Sequence, residues 1–152
     1  MQTIILPQSI VANSKATSKK RLFADLARLG ADLFDVDADL LQTGLQERED
    51  LGPTGMGAGI AIPHARIDGI DSIQGIFVRL ETPMEFESSD HQAVDLVFAL
   101  FAPKTAGAEH LKALARVSRV LRDADIRDRL RSTNDTEAIY AILIDTVDSV
   151  AA

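Results

Sequence analysis

Three histidines are the only imidazoles of the chain, and their surroundings separate them. His64 follows the stretch Gly52-Pro-Thr-Gly-Met-Gly-Ala-Gly-Ile-Ala-Ile-Pro63, in which Gly52, Gly55, Gly57 and Gly59 crowd into eight positions. Glycine at that density signals positive φ angles or a close approach of backbone to something bound. A neutral imidazole nitrogen is a competent nucleophile near neutral pH. Placed after a glycine loop and a proline, at the end of the short apolar run Ile60 to Ile62, His64 suits reaction with a partner better than filling a core. His110 falls in the first turn of a predicted helix, just past the apolar run that ends at Phe101. Free N–H groups and the positive end of the helix dipole favour an anion such as phosphate there, although the position reads equally well as a plain surface residue. His91 sits in the polar turn Ser88-Ser-Asp-His-Gln92 and has no role on this reading.

Other chemistries find less support in the residues. The glycine run lacks the Gly-Lys-Ser/Thr of a P-loop and does not open a helix as Gly-x-Gly-x-x-Gly does. As a bare pattern it is either a phosphate cradle or a flexible surface loop. Cysteine is absent, which removes disulfides, thiolate nucleophiles and cysteine-based zinc sites. The scattered histidines do not make up the ligand set of a zinc site. No nucleophile-elbow motif supports Ser/His/Asp catalysis. The formal charge of −7 argues against a nucleic-acid binder, which needs clustered Lys and Arg. No signal peptide is visible and no apolar run reaches membrane-span length, so a soluble cytoplasmic protein without membrane insertion is expected by elimination.

The elements that must position these residues follow from periodicity. Residues 1–11 read as an edge strand interrupted by Pro7, and 13–18 as a loop. Thr17 or Ser18 caps a helix to about Phe34, with Leu22, Phe23, Leu26, Ala27, Leu29, Leu33 and Phe34 inward and Gly30 placed to split it. A second helix, capped by Asp37 and reaching Glu49, turns Leu40, Leu41 and Leu45 inward and carries Arg48 in its charged last turn. Pro63 is expected to stop Ile60–Ile62 from pairing further. Residues 74–81 alternate as a strand, 82–92 connect irregularly, and 94–101 form a central strand buried on both faces and ended by Pro103. Three helices follow. The first, 107–122, has Leu111, Leu114, Ala115, Val117, Ser118 and Leu121 inward. The second covers 124–131, and the last, capped by Asp135, turns Ile139, Ile142, Leu143 and Val147 inward. The length of 152 residues fits one domain, and the order of elements fits a sheet covered by helices on both faces.

Several ordered motifs then agree with one family. Gly55-Met-Gly-Ala-Gly-Ile-Ala-Ile-Pro-His-Ala-Arg66 resembles the active-site signature of the IIA proteins of the bacterial phosphoenolpyruvate-dependent phosphotransferase system, fructose/mannitol class. Arg48-Glu-Asp-Leu-Gly-Pro-Thr-Gly55 resembles the family's Arg-Glu-x-x-Gly-Ser-Thr-Gly. Leu80-Glu-Thr-Pro-Met-Glu-Phe86, Val94-Asp-Leu-Val-Phe-Ala-Leu100 and His110-Leu-Lys-Ala-Leu114 resemble its later segments. The resemblance covers residues 15–145, and the free-standing domain with its Leu-Glu-Thr-Pro segment is most like the nitrogen-regulatory branch. Pro53, Ala58 and Ala93 depart from the usual serine, asparagine and proline.

The resemblance implies an α/β (α+β) fold of mannitol-IIA type, a three-layer α/β/α sandwich around a mixed sheet. It implies one type-2 IIA domain over 1–152, with a core from about 10 to 148. It further implies a phosphotransferase in which His64 accepts a phosphoryl group, as tele-phosphohistidine, from a histidine phosphocarrier protein of HPr or NPr type. Arg48 and His110 would supply donors to the phosphoryl oxygens, joined by the loop at Thr54, Gly55, Gly57 and Gly59. On its residues alone Arg48 is a solvated charge at a helix end. No metal or organic cofactor is implied. Partners would include regulated target proteins such as transporters or sensor kinases. Met56, Ala58 and Ile60 flank the loop as a partner surface, and Met84 and Phe86 either rise beside them or belong to the core. Two rivals stand beside this reading: a sugar-specific IIA component passing phosphate to a IIB domain, and a binding-only module.

Overall fold

The structure is a computed structural model and describes residues 4–147, with side chains to residue 145. The expected inward Val147 therefore lies outside the described side chains, as does the start of the predicted N-terminal strand at residues 1–3. Strand β6 (Val94–Pro103) is the axis of the sheet, and all of it but Asp95 and Pro103 is buried. Its alternation feeds two separate cores. Ala99 and Phe101 join Leu22, Phe23, Leu26, Leu41 and Leu45 from helices α1 (Lys19–Phe34) and α2 (Ala38–Leu51). Leu96, Phe98 and Leu100 join Ala113, Val117, Leu130, Ile139 and Leu143 from α3 (Ala108–Leu121), α4 (Ala124–Arg131) and α5 (Thr136–Val147). A strand whose two faces both meet helices must be apolar throughout, which is why this run carries no charge after Asp95.

The sheet is mixed. Strand β5 (Gln74–Met84) lies antiparallel to β6 on one side and parallel to the edge strand β1 (Ile10–Ser14). On the other side β6 pairs in parallel with β3 (Ile60–Ala61) and β4 (His64–Ile67), and the short β2 (Gly55–Gly57) turns back on β3. This is the expected α/β/α arrangement with a mixed sheet between two helical layers. Among the described residues no helix is long and apolar enough to cross a membrane.

Four local expectations are corrected. The chain does not leave the sheet at Pro63. Ile60 faces Leu96 and His64 faces Leu100, so β3 and β4 keep one register along β6. Proline lacks an N–H, but its carbonyl still accepts from the Leu100 N–H at 2.9 Å. At the N-terminus the strand begins only at Ile10, after a 3₁₀ turn at Pro7–Ser9, and runs on into the segment read as a loop. Ile4 and Ile5 are already buried ahead of it, so the core starts earlier than residue 10. Strand β5 continues to Met84, past the predicted end at residue 81. Leu40 is 52% exposed, leaving Leu41 and Leu45 as the buried stripe of α2.

Helix α1 begins at its expected cap, where the Ser18 hydroxyl accepts from the Arg21 N–H, and it is not split at Gly30. Gly30 leaves room for Leu41 of α2. A Cβ there would stand 2.8 Å from Leu41 Cδ1 and 3.2 Å from Phe34 Cε2. Leu41 is fully buried and has nowhere to retreat. Gly30→Val should therefore destabilise the protein by about 1–3 kcal/mol, the usual cost of overpacking. The check is a lower denaturant midpoint at an unchanged slope.

Candidate functional site

His64 stands at the first position of β4, where the sheet meets the C-terminal turn of α2 and the N-terminal turn of α3. The interrupted β3–β4 strand leaves the Ile62 carbonyl free of the ladder, and it lies 2.9 Å from His64 Nδ1. A carbonyl can only accept, so Nδ1 carries the proton. On the other nitrogen, Arg48 Nε–H donates to Nε2 at 3.2 Å. Both neighbours therefore select the same tautomer, with the lone pair on Nε2. Arg48 is anchored at the same time through Nη1, which donates to the Gly52 carbonyl at 2.9 Å and caps the end of α2. The helix-end arginine is thus held toward His64 and not released to solvent.

His110 closes the third side, its ring centroid 5.5 Å from that of His64. It is not a surface residue. It is 4% exposed, and its Nδ1 has no partner among the described residues. The face of α3 is rotated from the expected one. His110, Ala113, Val117, Val120 and Leu121 are buried, while Leu111 is 64% exposed and Leu114, Ala115 and Ser118 line a groove beside His64. Two hollows flank the ring. One, of about 280 Å³, is walled by Pro53, Thr54, Met56, Ile62 and that face of α3. The other, of about 410 Å³, is walled by Leu51, Arg66, His110 and Leu111, and Arg48 and His64 belong to both.

Glu49, next to Arg48, is buried, and its position could not be read from the helix pattern. Its carboxylate accepts from Lys19 Nζ at 2.9 Å, from the Thr54 N–H at 3.0 Å and from the Thr54 hydroxyl. Thr54 is therefore close to His64 but spends both of its donors on Glu49. The glycine loop is tied down away from the histidine. Gly57 and Gly59 hold φ of +86° and +79° on either side of Ala58, itself at +57°. The Ala58 N–H donates to Asp90 at 2.8 Å, and its carbonyl accepts from Arg131 Nη2 at 2.8 Å. The Asp90 carboxyl is held below its ordinary value by that Ala58 N–H and next by the Gln92 N–H. Cβ atoms on Gly55, Gly57 and Gly59 would meet Ser88, Asp90 and Arg131 respectively, not His64. Ile60, Met84 and Phe86 are core residues. The exposed apolar side chains at the site are Leu51, Met56 and Leu111.

Both site imidazoles titrate below the ordinary histidine value of 6.5. For His64 burial is the main cause; the Arg48 guanidinium acts in the same sense, while the Ile62 carbonyl and Glu49 oppose it. For His110 the causes are burial, then His64 and Arg66. The neutral Nε2 lone pair of His64 should persist to a lower pH than in a free histidine and be lost only as pH falls through the depressed value. An NMR titration of the His64 ring should give a midpoint below 6.5; a midpoint above it would mean that the Ile62 carbonyl, with Glu49, outweighs burial and Arg48.

With this geometry in hand, comparison with known proteins is informative. The family model described as phosphoenolpyruvate-dependent sugar phosphotransferase system, EIIA 2, matches residues 3–146. A protein of Bradyrhizobium diazoefficiens named nitrogen regulatory protein is 46% identical over 140 residues, covering 92% of each chain. The crystal structure of the nitrogen regulatory protein IIA-Ntr from Neisseria meningitidis superposes with a TM-score of 0.87 at 34% identity, over 92% of this chain and 96% of that one. The mannitol IIA of Escherichia coli shares the fold, with a TM-score of 0.76 at 21% identity over 90% and 96% of the two chains.

Proposed function

The chain belongs to the phosphoenolpyruvate-dependent sugar phosphotransferase system EIIA 2 family, and from that premise we propose that it accepts a phosphoryl group on His64 and binds target proteins according to whether that group is present. The observation that carries this is the double constraint on the ring: Ile62 O holds Nδ1–H while Nε2, the unprotonated nitrogen, accepts from Arg48. In the transfer, the Nε2 lone pair forms a bond to phosphorus. The P–N bond to the donor histidine of a small phosphocarrier protein breaks, and its electron pair leaves on the donor imidazole. Nδ1 keeps its proton, and the hydrogen bond to Ile62 O stabilises the charge that the ring acquires. Arg48 must leave Nε2 for attack, and its anchor on Gly52 O keeps the guanidinium within reach of the arriving oxygens. His110, buried with an unpartnered ring nitrogen, is the second donor. Transfer of this kind is mainly positioning and charge stabilisation, so the residues are sufficient in type. Any part played by Gly55, Gly57 and Gly59 goes through their backbone N–H groups, and Thr54 acts through Glu49.

Leu51, Met56 and Leu111, with the two hollows, form the docking surface for the donor and for targets. A phosphoryl group at their centre adds roughly −1.5 to −2 charge, by analogy with phosphorylated hydroxyls. It should repel a partner that buries this apolar ring and favour one that presents arginine or lysine. The nitrogen-regulatory reading rests on the relatives so named. Incubation with phosphoenolpyruvate, the first enzyme of the system and a phosphocarrier protein should place acid-labile phosphate on the chain. Capture of partners from cell extract should then give different sets for the phosphorylated and unphosphorylated protein. No labelling would end the proposal, and identical partner sets would leave a plain phosphate relay.

A further inference from the structure

One buried carboxylate lies behind both constraints on the His64 ring. Glu49 follows Arg48 in the last turn of α2; its side chain is 4% exposed and lines neither hollow. Both of its oxygens are engaged. Oε2 accepts from Lys19 Nζ and from the Thr54 N–H, and Oε1 accepts from the Thr54 hydroxyl. From Thr54 the connection continues through the backbone. The Thr54 carbonyl accepts from the Ile62 N–H at 3.1 Å, and the Ile62 carbonyl accepts from His64 Nδ1–H at 2.9 Å. An unbroken run of hydrogen bonds thus joins the carboxylate to the imidazole. The same residue closes the turn that carries Gly52. The Gly52 N–H donates to the Glu49 carbonyl at 3.1 Å, Thr54 is held by the side chain, and Gly52 O between them anchors Arg48 Nη1.

Taking a carboxylate out of water costs free energy even when a lysine pairs with it, and a well-packed apolar side chain would fill the space without that cost. What the carboxylate adds is direction: a satisfied polar network fixes each donor around it and rigidifies its surroundings. Resting on the reading of His64 as the phosphoryl acceptor, we propose that Glu49 is a positioning residue of that site. It holds Thr54 so that the Ile62 carbonyl stays on Nδ1 and Gly52 stays under Arg48. Lys19 supplies the opposite charge and is itself steadied by Glu87 Oε1 at 3.5 Å and by the Phe86 ring, 4.8 Å from its Nζ. Glutamine at position 49 would keep the shape but bring a single acceptor oxygen to three donors, and its amide N–H groups would face donors.

The test uses the full chain. Glu49→Gln should cut the rate of transfer at saturating phosphocarrier protein by about ten-fold or more, since small misplacements of reacting groups are costly. KM for the carrier should stay within about two-fold of wild type, because the carboxylate touches neither hollow. In the unphosphorylated protein the ring ¹⁵N shifts of His64 should report Nδ1–H in wild type and a gain of the Nε2–H tautomer in Glu49→Gln. A merely structural role would lower stability and leave the rate and the tautomer of the folded variant as they are. Should Glu49→Gln fail to fold, a pair of variants at Thr54 carries the same test. Thr54→Val loses the hydroxyl bond to Glu49, whereas Thr54→Ser keeps both donors, so the serine variant should transfer several-fold faster and show less Nε2–H. The tautomer is read without phosphate, so wild type that takes no label ends the acceptor reading, while the tautomer still decides whether Glu49 positions the ring. A wild-type tautomer in folded Glu49→Gln, an effect confined to KM, or equal rates and tautomers in the two Thr54 variants would each overturn the proposal.

Discussion

His64→Ala should take phosphate incorporation to the background of the assay, and in wild type all acid-labile phosphate should sit on His64 Nε2. The expectation follows from what each imidazole can offer. His110 is 4% exposed, and it lines only one of the two hollows that His64 lines. His91 projects from a turn at a positive φ of 59°, outside both hollows. Only His64 combines partial exposure with a tautomer fixed by a backbone acceptor. The alanine variant should remain folded. It loses two hydrogen bonds, each contributing about 0.5–1.5 kcal/mol net, so the melting temperature should fall by no more than several degrees. Peptide mapping after digestion above neutral pH locates the label, and phosphorus-coupled NMR of the ring identifies the nitrogen. Label on another residue, label surviving in His64→Ala, or phosphate on Nδ1 would each contradict the geometry, the last because Ile62 O occupies that nitrogen.

Much of this site was legible from residue types. The run 94–101, the caps at Ser18 and Asp37 and the helix carrying Arg48 all stand where periodicity and capping chemistry put them. What could not be read has a common physical origin. Leu111 and Leu114 look inward by type, yet Ala113, Val117 and Val120 take the core side, while Leu111 is exposed and Leu114 is half-buried, touching both the core and the groove at His64. An apolar side chain displaced to the surface marks a place where local pattern yields to function. Pro63 misled in the opposite direction: its missing N–H suggested the end of a strand, but the parallel ladder on that edge needs its carbonyl more than its nitrogen.

The glycine loop shows the limit of a composition signal. Four glycines before a histidine suggest an anion cradle, and a Cβ at three of them would run into Ser88, Asp90, Asp95 or Arg131, so the loop is also packed closely against those residues. These partners lie 33 to 72 residues away in the chain, beyond any local pattern: Gly55 precedes Ser88 by 33 and Gly59 precedes Arg131 by 72. The same holds for Glu49, whose burial depends on Lys19, thirty residues earlier in the sequence.

Arg48→Ala should slow transfer onto His64 by roughly ten- to a hundred-fold, the size expected when a charge-assisted contact made in the transition state is removed. The variant also frees the Gly52 carbonyl, so a loss of about 1 kcal/mol in stability is expected alongside. The two effects separate with Arg48→Lys. Lysine keeps the charge but is a single point donor on a flexible stem. It cannot hold Gly52 O and a phosphoryl oxygen together, so it should leave transfer impaired by about ten-fold or more while restoring electrostatic attraction of the donor. His110 behaves differently because it is packed. His110→Ala should destabilise by about 1–3 kcal/mol, since a buried ring leaves a cavity, and His110→Gln, which refills the space and keeps a donor, should recover most of the stability. If His110 acts on the phosphoryl group, His110→Ala slows transfer even at temperatures where the variant is fully folded, and combining it with Arg48→Ala costs less than the product of the two single effects, because both act on the same oxygens. Normal transfer by both Arg48→Ala and His110→Ala, each folded, would leave the fixed tautomer of His64 as the whole of the site's contribution.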